Sequence, residues 1–316
     1  MENHLCNQAG KHTQSRTPDA LRYHQNVASL NTPRRIGIHL STSGGTWTAV
    51  QRAVDCGANC FQIFSSSPRQ WKPSVVTSAD AEKMRTLRAQ HNISPLTIHA
   101  SYLINLCSQS EEVRKNSTAA FRGEVERALA LGAEFLVFHP GSWKGLTRAE
   151  ALQHAAENIE RAVDGLDCQS SQLRILIENT AGSEFSMGGK LDQVADLLHM
   201  LDRCAPVDVC LDTCHTHVAG YDIVTAEGYG ETVALIDESF GTKRVKVWHC
   251  NDAKAPQGSK LDRHEHIGDG TIGPEPFRRI LRDPRFAHCA FIAETPVDDP
   301  GDTLRNVSIL RTLAAV

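Results

Sequence analysis

A single-domain (β/α)8 barrel, with its site at the C-terminal face of the strands, is the architecture that the sequence predicts, on three observations. Eight short apolar runs alternate with eight segments of helical periodicity, and eight is the number at which a parallel sheet closes on itself. Several of these runs are continuously apolar, as suits strands covered on both faces. No G-x-G-x-x-G follows the first run, which weakens the structural alternative, an open doubly wound sheet, and no nucleotide cofactor is expected.

Taken in order, residues 1–34 are rich in Asn, Gln, His, Ser and Thr and read as a poorly ordered tail ahead of a domain spanning 35–316. The tail has no apolar run that could form a signal-peptide core, and nothing in the chain resembles a transmembrane span. Strand one (35–40, RIGIHL) leads through small residues to a helix over 46–56. Strand two (59–64) is followed by the polar loop SSSPRQW and a helix over 78–91. Strand three (95–99) leads through SYLINL to a long helix over 110–131, with Ala120, Val125, Leu129 and Leu131 at helical spacing. Strand four is 134–139, and Thr147 with Glu150 forms a capping box for the helix behind it. Strand five (173–178) precedes a helix over 190–203, and strand six (207–212) precedes one over 225–238. Strand seven (244–249), a charged, glycine-rich loop to Gly273, a helix to about Arg282, strand eight (289–294) and a closing helix over 303–313 complete the series.

Composition sets limits on function. The chain of 316 residues is 41% hydrophobic and 22% charged, with a formal net charge of −4, which does not advertise a nucleic-acid binder unless bound cations reverse the local sign. Ten cysteines scattered among strands and helices suit a reducing cytoplasm. The pairs Cys56/Cys60 and Cys210/Cys214 have spacings that favour core packing over a zinc ribbon. Fifteen histidines are the anomaly.

The strand ends give that anomaly a meaning. Strands three to eight end in His99, His139, Glu178, Asp212, His249 and Glu294, and strand one carries His39 beside its end. In a barrel these ends open on one face, so the side chains converge. A crowd of carboxylates and imidazoles with few cations is unfavourable unless metal sits among them, and six such residues exceed the three or four ligands that one zinc takes. At least two ions are therefore expected. After strand seven, Asp262 and His264 project to one side of an extended segment, and His215 offers a partner for a third group. By spacing alone, His266 is as eligible as His264.

The motifs HASYLINL from His99, VFHPGS around His139, LIENTAG around Glu178, CLDTCH with AGYD around Asp212, HCNDAK from His249 and DRHEHIGDG from Asp262 carry a resemblance. In colinear order over about 35–313, the chain resembles the endonuclease IV family of zinc-dependent apurinic/apyrimidinic endonucleases. The resemblance implies a TIM barrel with three zinc ions per chain: His99 and His139 on one, Glu178 bridging to a second held also by Asp212, His249 and Glu294, and His215, Asp262 and His264 on the third. It thereby selects His264 over His266. It implies incision of double-stranded DNA 5′ to an abasic site, leaving a 3′-hydroxyl and a 5′-deoxyribose phosphate, with Glu178 as the catalytic residue helping to orient or deprotonate the attacking water. Arg69 and Gln70 match one DNA-penetrating loop of the family and Tyr102 and Leu103 another, whereas Ser67 departs from the Asn that many relatives carry. Lys254, Lys260 and Arg263 are candidate phosphate contacts. A cytoplasmic monomer without membrane association is expected. A metal-dependent sugar isomerase or epimerase on a xylose-isomerase-like barrel is the alternative; the third metal group and the Arg69 loop argue against it. A catalytically silent DNA-binding barrel is disfavoured because every ligand position is filled.

Overall fold

Each apolar run folds as a strand of four to six residues in the computed structural model, which describes residues 32–315. The strands are β1 (Arg35–Ile38), β2 (Phe61–Phe64), β3 (Leu96–His99), β4 (Phe135–Phe138), β5 (Arg174–Glu178), β6 (Val207–Asp212) and β7 (Val245–His249), followed by the two-residue strands β8 (Asp252–Ala253) and β9 (His264–Glu265), then β10 (Ala290–Ala293). All but β8 and β9 form one parallel sheet in the order β1-β10-β7-β6-β5-β4-β3-β2, and β8 pairs antiparallel with β9. The chain is thus a TIM barrel. Its seam lies between β1 and β2, where Leu40 N–H donates to Gln62 O (2.8 Å) and Asn59 N–H to Ile36 O (3.0 Å). Close approach there requires glycine: a Cβ on Gly37 would lie 2.1 Å from Cys60 O.

Nine helices occur among the described residues: α1 (Thr48–Asp55), α2 (Ser78–His91), α3 (Glu111–Leu131), α4 (Arg148–Val163), α5 (Leu191–Leu201), α6 (Thr213–Ala219), α7 (Ala226–Ser239), α8 (Pro274–Arg282) and α9 (Asp302–Ala314). The capping box at Thr147 and Glu150 forms as the sequence indicates. The sequence reading has no counterpart to α6, which starts directly at the end of β6 with Asp212 as its N-cap.

The barrel interior is filled by Cys60, Val137, Leu176, Cys210, Val247, Ala290 and Ile292, and a larger apolar layer lies between the strands and the helices. Cys56, Cys60, Cys210 and Cys214 are buried free thiols, consistent with packing. At the N-terminal end of the strands, Asp208 is held by Arg174 Nε (2.8 Å) and Arg244 Nε (2.7 Å). No described helix is long and apolar enough to cross a membrane. The expected tail lies outside the described residues apart from 32–34, where Arg34 donates to Asp283 O (3.2 Å).

Candidate metal centre

At the opposite end of the barrel, the expected side chains meet. His99, His139 and Glu178 form one group whose ligand atoms lie within 4.8 Å of one another; Glu178, Asp212, His249 and Glu294 form a second; His215, Asp262 and His264 form a third. Glu178 joins the first two. It has no solvent exposure, its Oε2 lies 3.2 Å from His99 Nε2 and 3.0 Å from His139 Nε2, and its Oε1 lies 3.0 Å from His249 Nδ1. His249 Nδ1 is also 3.2 Å from Glu294 Oε2. Asp212 serves twice, accepting from His215 N–H (2.8 Å) as the cap of α6 while its other oxygen faces the centre.

The hydrogen bonds of the rings set which nitrogens carry protons. A carbonyl oxygen can only accept, so His99 Nδ1 donates to Ala100 O (2.8 Å), His215 Nδ1 to Asn179 O (2.9 Å) and His264 Nδ1 to Glu294 O (3.2 Å). His249 Nε2 donates to Gln62 Oε1 (2.8 Å), an amide orientation fixed because the Gln62 amide nitrogen must face the Glu294 carboxylate. Each ring then turns its other nitrogen towards carboxylates. His139 Nε2 and His264 Nε2 are buried without a hydrogen bond among the described residues, although they lie 3.0 Å from Glu178 Oε2 and 3.2 Å from Asp262 Oδ1. Ring nitrogens and carboxylate oxygens thus converge within each group. The donor set of imidazoles and carboxylates, with four of the five rings oriented through the far nitrogen, fits divalent cations.

The electrostatics agree. Burial lowers the His215 and His264 pKa values, but Asp212 and Asp262 more than offset it, raising His215 well above its ordinary value and His264 to about 9. Burial raises that of Glu178, and the charges of His139 and His249 more than reverse this, holding it well below the ordinary carboxylate range. Ring protons thus balance the carboxylates, and a cation among them would displace those protons. Cys210 sits beside Glu178 and His249, but burial pushes its thiol up to about 12, so it is a neutral packing group. His39 stands outside the groups, 4.0 Å from Glu294, with its pKa held down to about 4 by burial.

Sequence reasoning missed three buried amides that orient the acids and rings. Gln62 spans His249 and Glu294, and Asn179 Oδ1 accepts from Asp212 N–H (2.7 Å). Asn251 Nδ2 donates to Asp212 Oδ2 (2.6 Å) and Glu294 Oε2 (3.3 Å), while its Oδ1 accepts from Glu294 N–H (2.6 Å). The choice between His264 and His266 also has a physical cause. His266 Nδ1 pairs with the Asn306 amide (3.0 Å) on α9, away from the three groups.

Around this centre, Arg69 and Gln70 are exposed on the β2–α2 loop. That loop is tied to the next by Ser101 Oγ, which donates to Pro68 O (2.9 Å). Tyr102 is 60% exposed, with its ring 5.2 Å edge-on to Phe64, and Leu103 is half-buried. Trp71, Val75, Leu261 and Val297 are further exposed apolar side chains on loops at this end, and none of them is singled out by sequence pattern. Lys254 and Arg263 flank the third group, with Lys254 Nζ 3.8 Å from Glu265, and Lys260 is exposed.

Known proteins match most of the chain. A family model described as a xylose isomerase-like TIM barrel matches residues 50–313. A probable endonuclease 4 from Solibacter usitatus is 45% identical over 282 residues, covering 89% of this chain and 97% of that protein. One from Methanoculleus marisnigri is 39% identical, covering 88% and 98%. The crystal structure of endonuclease IV from Thermus thermophilus superposes with a TM-score of 0.79 at 35% identity, covering 88% of this chain and 98% of that one. A D-psicose 3-epimerase from Clostridium cellulolyticum superposes at 0.60 with 14% identity, covering 89% and 96%, a likeness of fold alone. With this much identity across nearly the whole length of its relatives, the chain belongs to the endonuclease IV family and is an endonuclease.

Proposed function

We propose that this endonuclease incises double-stranded DNA at apurinic/apyrimidinic sites, hydrolysing the phosphodiester on the 5′ side to leave a 3′-hydroxyl and a 5′-deoxyribose phosphate, with trimming of blocked 3′ ends as a second activity. The reading assigns three zinc ions per chain. His99, His139 and Glu178 hold one; Glu178, Asp212, His249 and Glu294 hold another; His215, Asp262 and His264 hold the third. The observation that carries it is the arrangement of the rings: His99, His215, His249 and His264 each have one nitrogen anchored and the other facing carboxylates of a shared group, and His139 Nε2 faces Glu178.

Divalent cations in these groups supply a water of lowered pKa and fixed positive charge towards a phosphate, reversing the sign of a chain whose formal charge is −4. The protein's own residues do the rest. Glu178, fully buried between imidazoles, is assigned to orient the attacking water and to accept its proton. Tyr102 and Leu103 enter the base stack from one loop and Arg69 and Gln70 from its neighbour, extruding the damaged nucleotide, which costs least where the base is already missing. The domain 35–316 acts as a cytoplasmic monomer, and residues 1–34 are an appended tail.

The test uses zinc-stripped protein and a duplex carrying one synthetic abasic analogue. Incision should disappear on stripping, return on adding zinc, and leave an end that a polymerase extends. Incision surviving complete stripping would refute the assignment, and interconversion of a free sugar without nicking would replace it with the epimerase reading.

A further inference from the structure

The loop between β8 and α8 delivers Asp262 and His264, and it folds around a carboxylate that belongs to none of the three groups. Asp252 is completely buried. Its Oδ1 accepts from the backbone N–H of Ala253 (2.8 Å) and Ile272 (2.9 Å), and its Oδ2 from those of Gly268 (2.9 Å) and Gly273 (3.2 Å). One side chain thus satisfies four backbone donors, three of them 16 to 21 residues further along the chain. A buried charge is tolerated when it is fully hydrogen-bonded, and such bonds are roughly twice as strong as neutral ones.

The surrounding chain is shaped to this carboxylate. A Cβ on Gly270 would stand 2.4 Å from Asp252 Oδ1 and 2.5 Å from Ala253 O. Thr271 N–H donates to Ala253 O (2.8 Å) and Lys254 N–H to Arg263 O (2.9 Å). The antiparallel register places Asp252 opposite Glu265 and Ala253 opposite His264. The position of β9, and with it His264 and Asp262, therefore follows from the closure of residues 264–273 onto Asp252.

We infer that Asp252 is a positioning residue for the His215, Asp262 and His264 group: by gathering three amides of that loop it holds two of that group's three side chains against α6, without touching the reacting atoms. The inference rests on the metal assignment proposed above. Its consequence is selective. Loss of the Asp252 carboxylate should loosen the third group and leave the other two, because His99, His139, Glu178, Asp212, His249 and Glu294 stand at, or one residue beyond, the ends of barrel strands and none of them is on the 254–273 loop.

Asp252→Asn keeps the volume and removes one acceptor oxygen, and Gly270→Ala strains the same cradle from the opposite side while leaving the carboxylate in place. The parent and both variants, zinc-loaded, are measured in three ways: hydrogen exchange of the 264–273 segment, zinc released against rising chelator, and incision against free zinc concentration. Faster exchange is expected in 264–273. One ion per chain should be released about 10 to 100 times more readily, in proportion to what partners that orient ligands usually contribute, with the others unchanged. Incision should be restored by raising zinc, a rescue that a general folding defect would not show. Unchanged exchange and release in both variants would overturn the inference, as would parallel loosening of every ion. If Asp252→Asn does not fold, Gly270→Ala decides by the same readouts. A parent chain that binds no zinc would refute the metal assignment, and exchange in 264–273 would still report whether Asp252 holds the loop.

Discussion

Replacing Asn251 with alanine isolates what the amides contribute to the centre. The side chain has no solvent exposure, is assigned no ion, and makes three contacts: 2.6 Å to Asp212 Oδ2, 3.3 Å to Glu294 Oε2, and 2.6 Å from Glu294 N–H to its own Oδ1. The first is a short bond to a charged acceptor, of a kind worth about 1.5–3 kcal/mol. The second is long, and the third orients Glu294 through its backbone. Losing the partners that orient ligands typically lowers metal affinity about 10- to 100-fold, or about 1.4–2.7 kcal/mol, which matches the strength of that first bond. The expected result of Asn251→Ala is that the ion assigned to Glu178, Asp212, His249 and Glu294 leaves at a 10- to 100-fold lower chelator strength, with incision falling alongside it at fixed zinc. Competition against a chromophoric chelator measures the first and nicking of an abasic duplex the second, with circular dichroism to confirm the fold. A variant whose chelator curve overlays that of the parent would refute the reasoning, because two carboxylates would then be oriented equally well without their shared donor.

Three other outcomes are expected. Glu178→Gln removes the charge facing His99, His139 and His249, and incision should fall by at least about 10²–10³-fold, the scale of losing one group that stabilises a developing charge; incision at the parent rate would exclude Glu178 from the chemistry. Asp208→Asn at the far end of the barrel should destabilise the fold by about 1–3 kcal/mol in urea without changing zinc content. That is less than the 3–5 kcal/mol of a fully buried pair, because the Arg174 and Arg244 side chains are 40% and 31% exposed and can turn to water. Burial works against the charge of Asp283, but hydrogen bonds from Arg285 and from Tyr229 Oη (2.7 Å) more than offset it, so its pKa is lowered. A depressed carboxylate adds stability that is present above its unfolded pKa and lost as pH falls through its folded one. Tyr229→Phe should therefore lower stability near pH 7, and the difference from the parent should narrow on the acid limb; a pH-independent difference in urea melts would contradict it.

The fold and most of the centre were legible in the sequence because both follow from side-chain types that chemistry restricts. A parallel strand covered on both faces must be apolar, and a zinc ligand must be His, Cys, Asp or Glu, so both leave their mark one residue at a time. What escaped notice works through contacts distant in sequence. Asn251 meets Glu294 across 43 residues and Gln62 meets His249 across 187, and nothing in a neutral amide marks it as a partner. Helix α6 escaped for a local reason. It has only seven residues, includes two threonines and two histidines, and begins on an aspartate already accounted for as a ligand. Asp212 caps α6 with one oxygen while its other oxygen faces the candidate metal groups. His264 and His266 are indistinguishable by spacing, and the choice falls to Asn306, 40 residues downstream of His266.

The two ends of the barrel hold their carboxylates in different ways, and the difference divides stability from activity. At the N-terminal end, Asp208 faces Arg174 and Arg244, cations that never titrate near neutrality and so form a permanent pair. At the C-terminal end, Glu178, Asp212, Asp262 and Glu294 face imidazoles, which can give up their protons and whose places around a cation are already prepared. A site that must exchange protons for metal cannot also be the clamp on which the fold depends. The apolar layer between strands and helices, the fixed pairs at the base and the glycine seam between β1 and β2 do that work independently. Stripped of metal, the chain should therefore keep its barrel and lose its activity, unlike small domains whose only core is their ion. If chelation instead melted the helical circular dichroism in step with the loss of nicking, the rim would prove to be part of the scaffold, and this division between the two ends would be wrong.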